Sequence, residues 1–149
     1  MWPCIKISRN SCFAEMRMPP ETQIGRTAIT SPELTPPVGP FSQAIEVGGF
    51  IYFSGQVGQD PTTGTLVARG IAAETERVFR NLSAVSKAAG RSFDDVVRAG
   101  VYLANMNDFV AMNGIYAKHF SQPFPARTTI AVAALPLGAC VEIDLVAKA

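Results

Sequence analysis

Histidine is nearly missing from this chain: His119 stands alone among 149 residues. A closed zinc site would have to draw on cysteines and carboxylates scattered along the sequence, so neither a metal nor a cofactor is expected. Cysteine is scarce as well. Cys4, Cys12 and Cys140 form no C-x-x-C pair, and an odd count at such spacing points to free thiols in a reducing compartment, hence a cytoplasmic protein. No stretch approaches the roughly 18 consecutive apolar residues of a membrane span. The formal net charge is only +1 and no run of Lys or Arg makes a basic stripe, which disfavours dedicated nucleic-acid binding. Charged residues amount to 17% against 48% hydrophobic, a balance that implies apolar surface buried between subunits.

The N-terminus also lacks the apolar core of a signal peptide. Lys6, Arg9 and Arg17 against Glu15 leave room for organellar targeting, but a flexible leader over 1–22 is the plainer account, with Met16 or Met18 as an alternative start. Residues 23–149 are then expected to form a single domain. Pro19-Pro20 and Pro36-Pro37 block helix in the lead-in, so order is expected to begin near Gly39-Pro40.

Two β-type runs follow, Ser42 to Val47 and Phe50 to Val57, and the Gly48-Gly49 between them signals a hairpin. Ser54-Gly55 interrupts the second run, and a glycine there marks either a bulge or a place where a ligand comes close. Ile71, Thr75, Val78, Leu82, Val85 and Ala89 recur at helical steps, with Glu76 and Arg80 paired on the outer side and Gly90 ending the helix. A strand over Val96 to Leu103 would place Val97, Ala99, Val101 and Leu103 on one side. Asn107 can cap a second helix carrying Phe109, Met112, Tyr116 and Phe120, which Pro123 and Pro125 forbid from continuing. Strands over Arg127 to Ala134 and Cys140 to Ala147 close the chain as a hairpin. The order β-β-α-β-α-β-β predicts an α+β layer with two helices on one face of a mixed sheet. Its second face has no helix left to cover it, so assembly through that face is expected.

Six short segments stand out in order: Gly39-Pro40-Phe41-Ser42-Gln43-Ala44, Ser54-Gly55-Gln56, Asn107-Asp108-Phe109, Asn113 with Tyr116, Pro125-Ala126-Arg127-Thr128-Thr129, and Val141-Glu142-Ile143. Together they resemble the successive signature blocks of the reactive intermediate deaminase (RidA, or YjgF) family over roughly Pro36 to Ala147. The resemblance implies a chorismate-mutase-like fold assembled as a homotrimer with clefts between subunits. It also implies hydrolysis of enamines and imines of 2-oxo acids, such as 2-aminoacrylate, 2-iminopropanoate and 2-iminobutanoate, to the 2-oxo acid and ammonia.

From the residues alone, Arg127 is more readily a strand-edge ion pair than a clamp for a carboxylate, because ordinary ion pairs are commoner than sites. The resemblance reverses that order, since a guanidinium fork matches a carboxylate with two charge-assisted hydrogen bonds. Glu142, on the far strand of the expected hairpin, is either a surface ion-pair partner or the group that activates water. Ser54 and Gly55 are either a bulge or part of the binding cleft, the serine hydroxyl meeting the substrate nitrogen. Phe41 walls the same cleft in this reading, and many relatives carry Tyr there. Thr129 adjoins the arginine where many relatives carry Cys, so the thiol is not available here. Those two departures keep alive a non-catalytic protein that binds small carboxylates. An RNA-cleaving translation inhibitor ranks below it, because one histidine and balanced charge suit nuclease chemistry poorly. His119 is expected to be structural, near the last carbonyls of the second helix.

Overall fold

Gly48 and Gly49 take positive φ, 59° and 81°, and this two-residue turn joins β2 (Ala44–Val47) to β3 (Phe50–Phe53) as an antiparallel hairpin. The structure, a computed structural model, describes residues 25–149 apart from Arg69. The leader expected over 1–22, with Cys4, Cys12 and the alternative starts, lies outside those residues. Order begins ahead of Gly39: β1 (Thr27–Ile29) pairs with the outer edge of β2 and buries Ile29 in the core. A three-residue strand in a Pro- and Thr-rich lead-in is too short to show an alternating pattern, which is why sequence reading passes over it.

The sheet runs β1-β2-β3-β7-β5-β6. Its centre is β7 (Val141–Lys148), antiparallel to both β3 and β5 (Val96–Leu103), while β6 (Ala126–Ala131) lies on the far edge, parallel to β5. The expected hairpin of the last two strands therefore does not form, because β5 stands between them. The connection from 132 to 140 exceeds the usual hairpin loop of about two to five residues. That length lets β7 pass over to the other side of β5, whose Ala99, Val101 and Leu103 are fully buried once both of its edges are paired.

Alternation along β7 divides the sheet into two faces. Val141, Ile143, Leu145 and Ala147 point one way and are sealed, while Glu142, Asp144 and Val146 point the other and are half-buried. The sealed face receives Val78, Leu82 and Val85 from α1 (Gly70–Ala88) and Met112 and Tyr116 from α2 (Phe109–Tyr116). Each such side chain contributes about 1.5–3 kcal/mol by leaving water, so this layer is what holds the sheet in place. Both helices sit on one face, as the sequence predicts. No helix among the described residues is long and apolar enough to cross a membrane.

Three local expectations shift. Asn105, not Asn107, opens the second helical segment: its Oδ1 accepts from the Asn107 N–H at 3.0 Å and starts a tight turn over Met106–Asp108 ahead of α2. An irregularity between Val96 and Arg98 turns Val97 outward, 45% exposed, away from the row of Ala99, Val101 and Leu103. Glu76 faces His119 Nε2 at 3.6 Å, and the His119 ring stacks on Phe79 with centroids 4.1 Å apart, beyond the end of α2. Burial lowers the imidazole's pKa, with Glu76 opposing, so the ring packs mainly in its neutral form.

Candidate functional site

The run expected as one strand over Phe50 to Val57 is two. Beyond β3, β4 (Gln56–Val57) resumes pairing with β7, but Tyr52 faces Val146 and Gln56 faces Ile143, four steps on one strand against three on the other. The extra residue falls at Ser54-Gly55, a bulge that takes this backbone out of the ladder. Beside it opens a cleft of about 460 Å³ whose walls include Phe41, Ser54, Gly55, Leu137 and Glu142.

Glu142 reaches this cleft because it alternates with the sealed Val141 and Ile143. Gly55 leaves it room: a Cβ at that position would lie 2.8 Å from the Glu142 carboxyl carbon. Burial raises the Glu142 pKa above the ordinary carboxylate value, and the like charge of Asp144, two residues along on the same face, raises it further. A carboxyl shifted in that direction is better matched to taking and returning a proton near neutral pH. Asp144 itself is held elsewhere, accepting from the Tyr102 hydroxyl at 2.8 Å and lying 3.8 Å from Arg98.

The Ser54 hydroxyl donates to the Ser42 carbonyl at 2.6 Å, and the Ser54 N–H donates to the Gln43 carbonyl at 3.0 Å. These two bonds tie the loop that carries Phe41 to the bulge. With its proton so committed, Ser54 offers the cleft its lone pairs. Gln43 fastens the other side of the loop: buried, it accepts from the Ser31 N–H at 2.7 Å and donates to the Thr35 carbonyl at 3.4 Å. Phe41 remains 52% exposed along the cleft.

Arg127 is elsewhere. It pairs with Ala99 and so stands on the helix side of the sheet, whereas Glu142 pairs with Tyr102 on the uncovered side. Two strand spacings and three residues along the strand separate the two backbones, roughly 14 Å. The guanidinium is held by neutral groups: Nη1 donates to Asn113 Oδ1 at 2.9 Å, and its carbon lies 4.4 Å from the Tyr116 ring centroid and 5.7 Å from that of Phe109. Among the described residues no carboxylate lies within 4.0 Å of it. Thr129, two residues along the same side of β6, has a buried Oγ1 with no hydrogen-bond partner. Burial raises the Tyr116 phenol, with the positive charge of Arg127 pulling the other way.

The six sequence-predicted site residues thus fall into two groups. Phe41, Ser54, Gly55 and Glu142 line one cleft, and Arg127 and Thr129 stand apart on β6. The expected hairpin of β6 and β7, which would have set Arg127 and Glu142 on neighbouring strands, does not form. Asn113 and Tyr116, quoted only as motif residues or core, turn out to hold the arginine; their spacing of three on one helix face is the signal that could have found them. Leu137, which no sequence pattern marks, also lines the cleft. Among the described residues, no three His, Cys, Asp or Glu side chains gather closely enough to hold a metal ion. The Cys140 thiol is pushed up to about 11 by burial and the neighbouring Glu74 carboxylate, so it stays protonated.

Comparison with known proteins draws these features together. The family model described as endoribonuclease L-PSP matches residues 32–149. The human 2-iminobutanoate/2-iminopropanoate deaminase is 44% identical over 122 residues, 82% of this chain and 89% of that protein. Among solved structures, RidA from the Antarctic bacterium Psychrobacter superposes with a TM-score of 0.78 at 41% identity, covering 83% of this chain and 99% of that one. The YjgF gene product of E. coli gives 0.76 at 32% identity, covering 82% and 98%. With its bulged strand beside a cleft carboxylate and a match across the described fold, this chain belongs to the endoribonuclease L-PSP family, the group of RidA and YjgF.

Proposed function

We propose that this chain is a deaminase of reactive imines, hydrolysing 2-iminopropanoate, 2-iminobutanoate and their enamine tautomers to 2-oxo acids and ammonia. The observation that carries the reading is the Arg127 guanidinium, held in place by an amide and an aromatic ring with its charge unneutralised among the described residues. A cation so placed is ready for an anionic ligand, and a bidentate carboxylate is the ligand its fork fits best. Thr129 Oγ1 beside it has a hydrogen bond still to make.

The two groups of residues become one site if a second copy brings its β6 edge to the cleft. The uncovered face supports such assembly, because Phe50, Tyr52 and Ile130 lie on it 40%, 49% and 44% exposed, more apolar surface than a sheet normally leaves to water. A closed homotrimer satisfies every copy at once, each lending Arg127 to one neighbour and a cleft to the other.

In this site Arg127 and the Gly55 backbone N–H fix the substrate carboxylate, and Phe41 excludes bulk water, which strengthens the ion pair. Glu142, ionised, takes a proton from water as the water oxygen bonds to the imine carbon, and then gives that proton to the nitrogen. Ser54 receives a hydrogen bond from the N–H. In the resulting carbinolamine the hydroxyl proton passes by way of Glu142 to the nitrogen, the carbon–nitrogen bond breaks with its electron pair going to nitrogen, and ammonia leaves with the 2-oxo acid. Positioning and one proton-transfer group suffice, because the barrier for such imines is already modest in water.

The test is a coupled assay of ammonia and 2-oxo acid release from freshly generated 2-iminopropanoate. Arg127→Ala is expected to lower kcat/KM by about a hundredfold or more, the loss of a charge-assisted bidentate contact, with the elution volume on a sizing column unchanged. Turnover by Arg127→Ala at the wild-type rate would remove the reading.

A further inference from the structure

Leu137 adopts φ 59° and ψ 9°, the left-handed region that a leucine side chain disfavours. Among the described residues it is the one non-glycine with positive φ. The adjoining Gly138 shares that conformation at φ 73°, so the turn after Pro136 is one in which two successive glycines would be at ease. Nor does core burial offset the strain, since the Leu137 side chain is 61% exposed. Strain of this kind is kept at functional positions, where the side chain does something the fold does not require.

The side chain lines the cleft that holds Glu142. The same cleft is lined by Phe41, 52% exposed, Val38, 96% exposed, and the rigid Pro36-Pro37. Among the described residues no Lys or Arg lines it, so an acidic substrate side chain finds no counter-charge from them. Of the polar side chains that line it, Gln43, Gln59 and Asn81 are bonded within the chain, while Ser54 and Glu142 match the part of a 2-imino acid common to all substrates, which leaves the apolar walls to read what differs between them. In a single copy the cleft, about 460 Å³, leaves room beside Leu137 for more than the methyl side chain of 2-iminopropanoate.

On the deaminase reading, from which this inference starts, we propose that Leu137 is a specificity-determining residue. With Phe41 and Val38 it selects 2-imino acids that carry a bulky apolar side chain, of the kind oxidation of leucine or phenylalanine supplies, over those carrying a methyl. The partner copy that brings Arg127 would anchor the carboxylate, leaving the side chain to the walls of this chain's own cleft.

The experiment generates imines in place with an amino-acid oxidase, from leucine and from alanine, and measures kcat/KM for each by ammonia release. Wild-type protein is expected to favour the leucine-derived imine by about tenfold or more, as a filled apolar pocket does over a methyl. Leu137→Gly relieves the backbone while deleting the wall, and Leu137→Asn keeps a side chain that tolerates left-handed backbone but is polar. Both should compress the preference by about fivefold or more, with the sizing-column elution unchanged. A wild-type ratio near one overturns the inference, as does a ratio that both variants keep. Loss of assembly in either variant also overturns it, showing that Leu137 serves a subunit contact. Release above the uncatalysed rate from neither imine removes the deaminase reading and this inference together, whereas equal release from both removes this inference alone.

Discussion

The two faces of β7 use alternate residues of one strand for different ends. Val141, Ile143, Leu145 and Ala147 are at most 1% exposed beneath the helices, whereas Glu142 and Asp144, their immediate neighbours, keep contact with solvent and with a cluster of Tyr102 and Arg98. The covered face fixes where the strand lies, because close-packed side chains leave it one register. The uncovered face can then hold a carboxyl whose charged state burial disfavours, and the molecule tolerates this because stability is supplied across the sheet. Arg127 shows the same division at the sheet's edge: the register sends it to the helix side, but on β6 it lies only half-buried and keeps its charge available.

Deleting side chains on opposite faces of β7 tests the contrast most directly. Leu145→Ala should destabilise the chain by about 2–5 kcal/mol in urea titrations, whereas Val146→Ala should cost less than about 1 kcal/mol. Equal losses would mean that the uncovered face is as tightly packed as the other. The next effect concerns the separation of Arg127 from Glu142. Arg127→Ala and Glu142→Gln should each be nearly inactive alone, yet chains refolded together in equal amounts should regain about a quarter of wild-type turnover, since random mixing in the proposed trimer restores that share of sites. No recovery would mean that one chain supplies both groups. Gly55→Ala should follow, lowering kcat by about tenfold or more while changing stability by less than about 1 kcal/mol, because the added methyl displaces the Glu142 carboxyl at a solvent-facing cleft.

Most of the framework could be read from residue types. Gly48-Gly49 specifies its hairpin, the steps of three and four over Ile71 to Ala89 specify α1 to within one residue at each end, and the strand read at about Val96 to Leu103 is β5. Strand pairing was harder. Proximity in sequence favoured a hairpin of the last two strands, and only the mutual packing of β5 and β7 over α1 overrules it. The difference bears on the site, because with β5 between their strands Arg127 and Glu142 of one chain are not neighbours. The bulge at Ser54-Gly55 was visible as an interruption, but its consequence, room for Glu142, depends on a cross-strand contact no local pattern carries. Asn113 and Tyr116 were hidden for a related reason: helical spacing assigns a face but does not say that an arginine from another strand lies against it. Leu137 could not be found at all, because a left-handed backbone leaves no mark on the residue type when that residue is leucine.

The smallest effect expected is a shift along the pH axis. Burial is the larger cause of the raised Glu142 pKa and the Asp144 charge the lesser, so Asp144→Asn should remove part of the shift and leave the rest. If Glu142 works ionised, activity rises with pH through its pKa, and the acid limb of kcat/KM against pH should move to lower pH in the variant. Stability supplies an independent reading of the same sign. A carboxyl whose folded pKa lies above its ordinary 4.5 binds more protons folded than unfolded between those two values, so stability falls as pH rises across that window. Asp144→Asn narrows the window, and the slope of unfolding free energy against pH there should become shallower. An acid limb that stays in place while that slope does flatten would show that Glu142 titrates as described but that another group carries the proton.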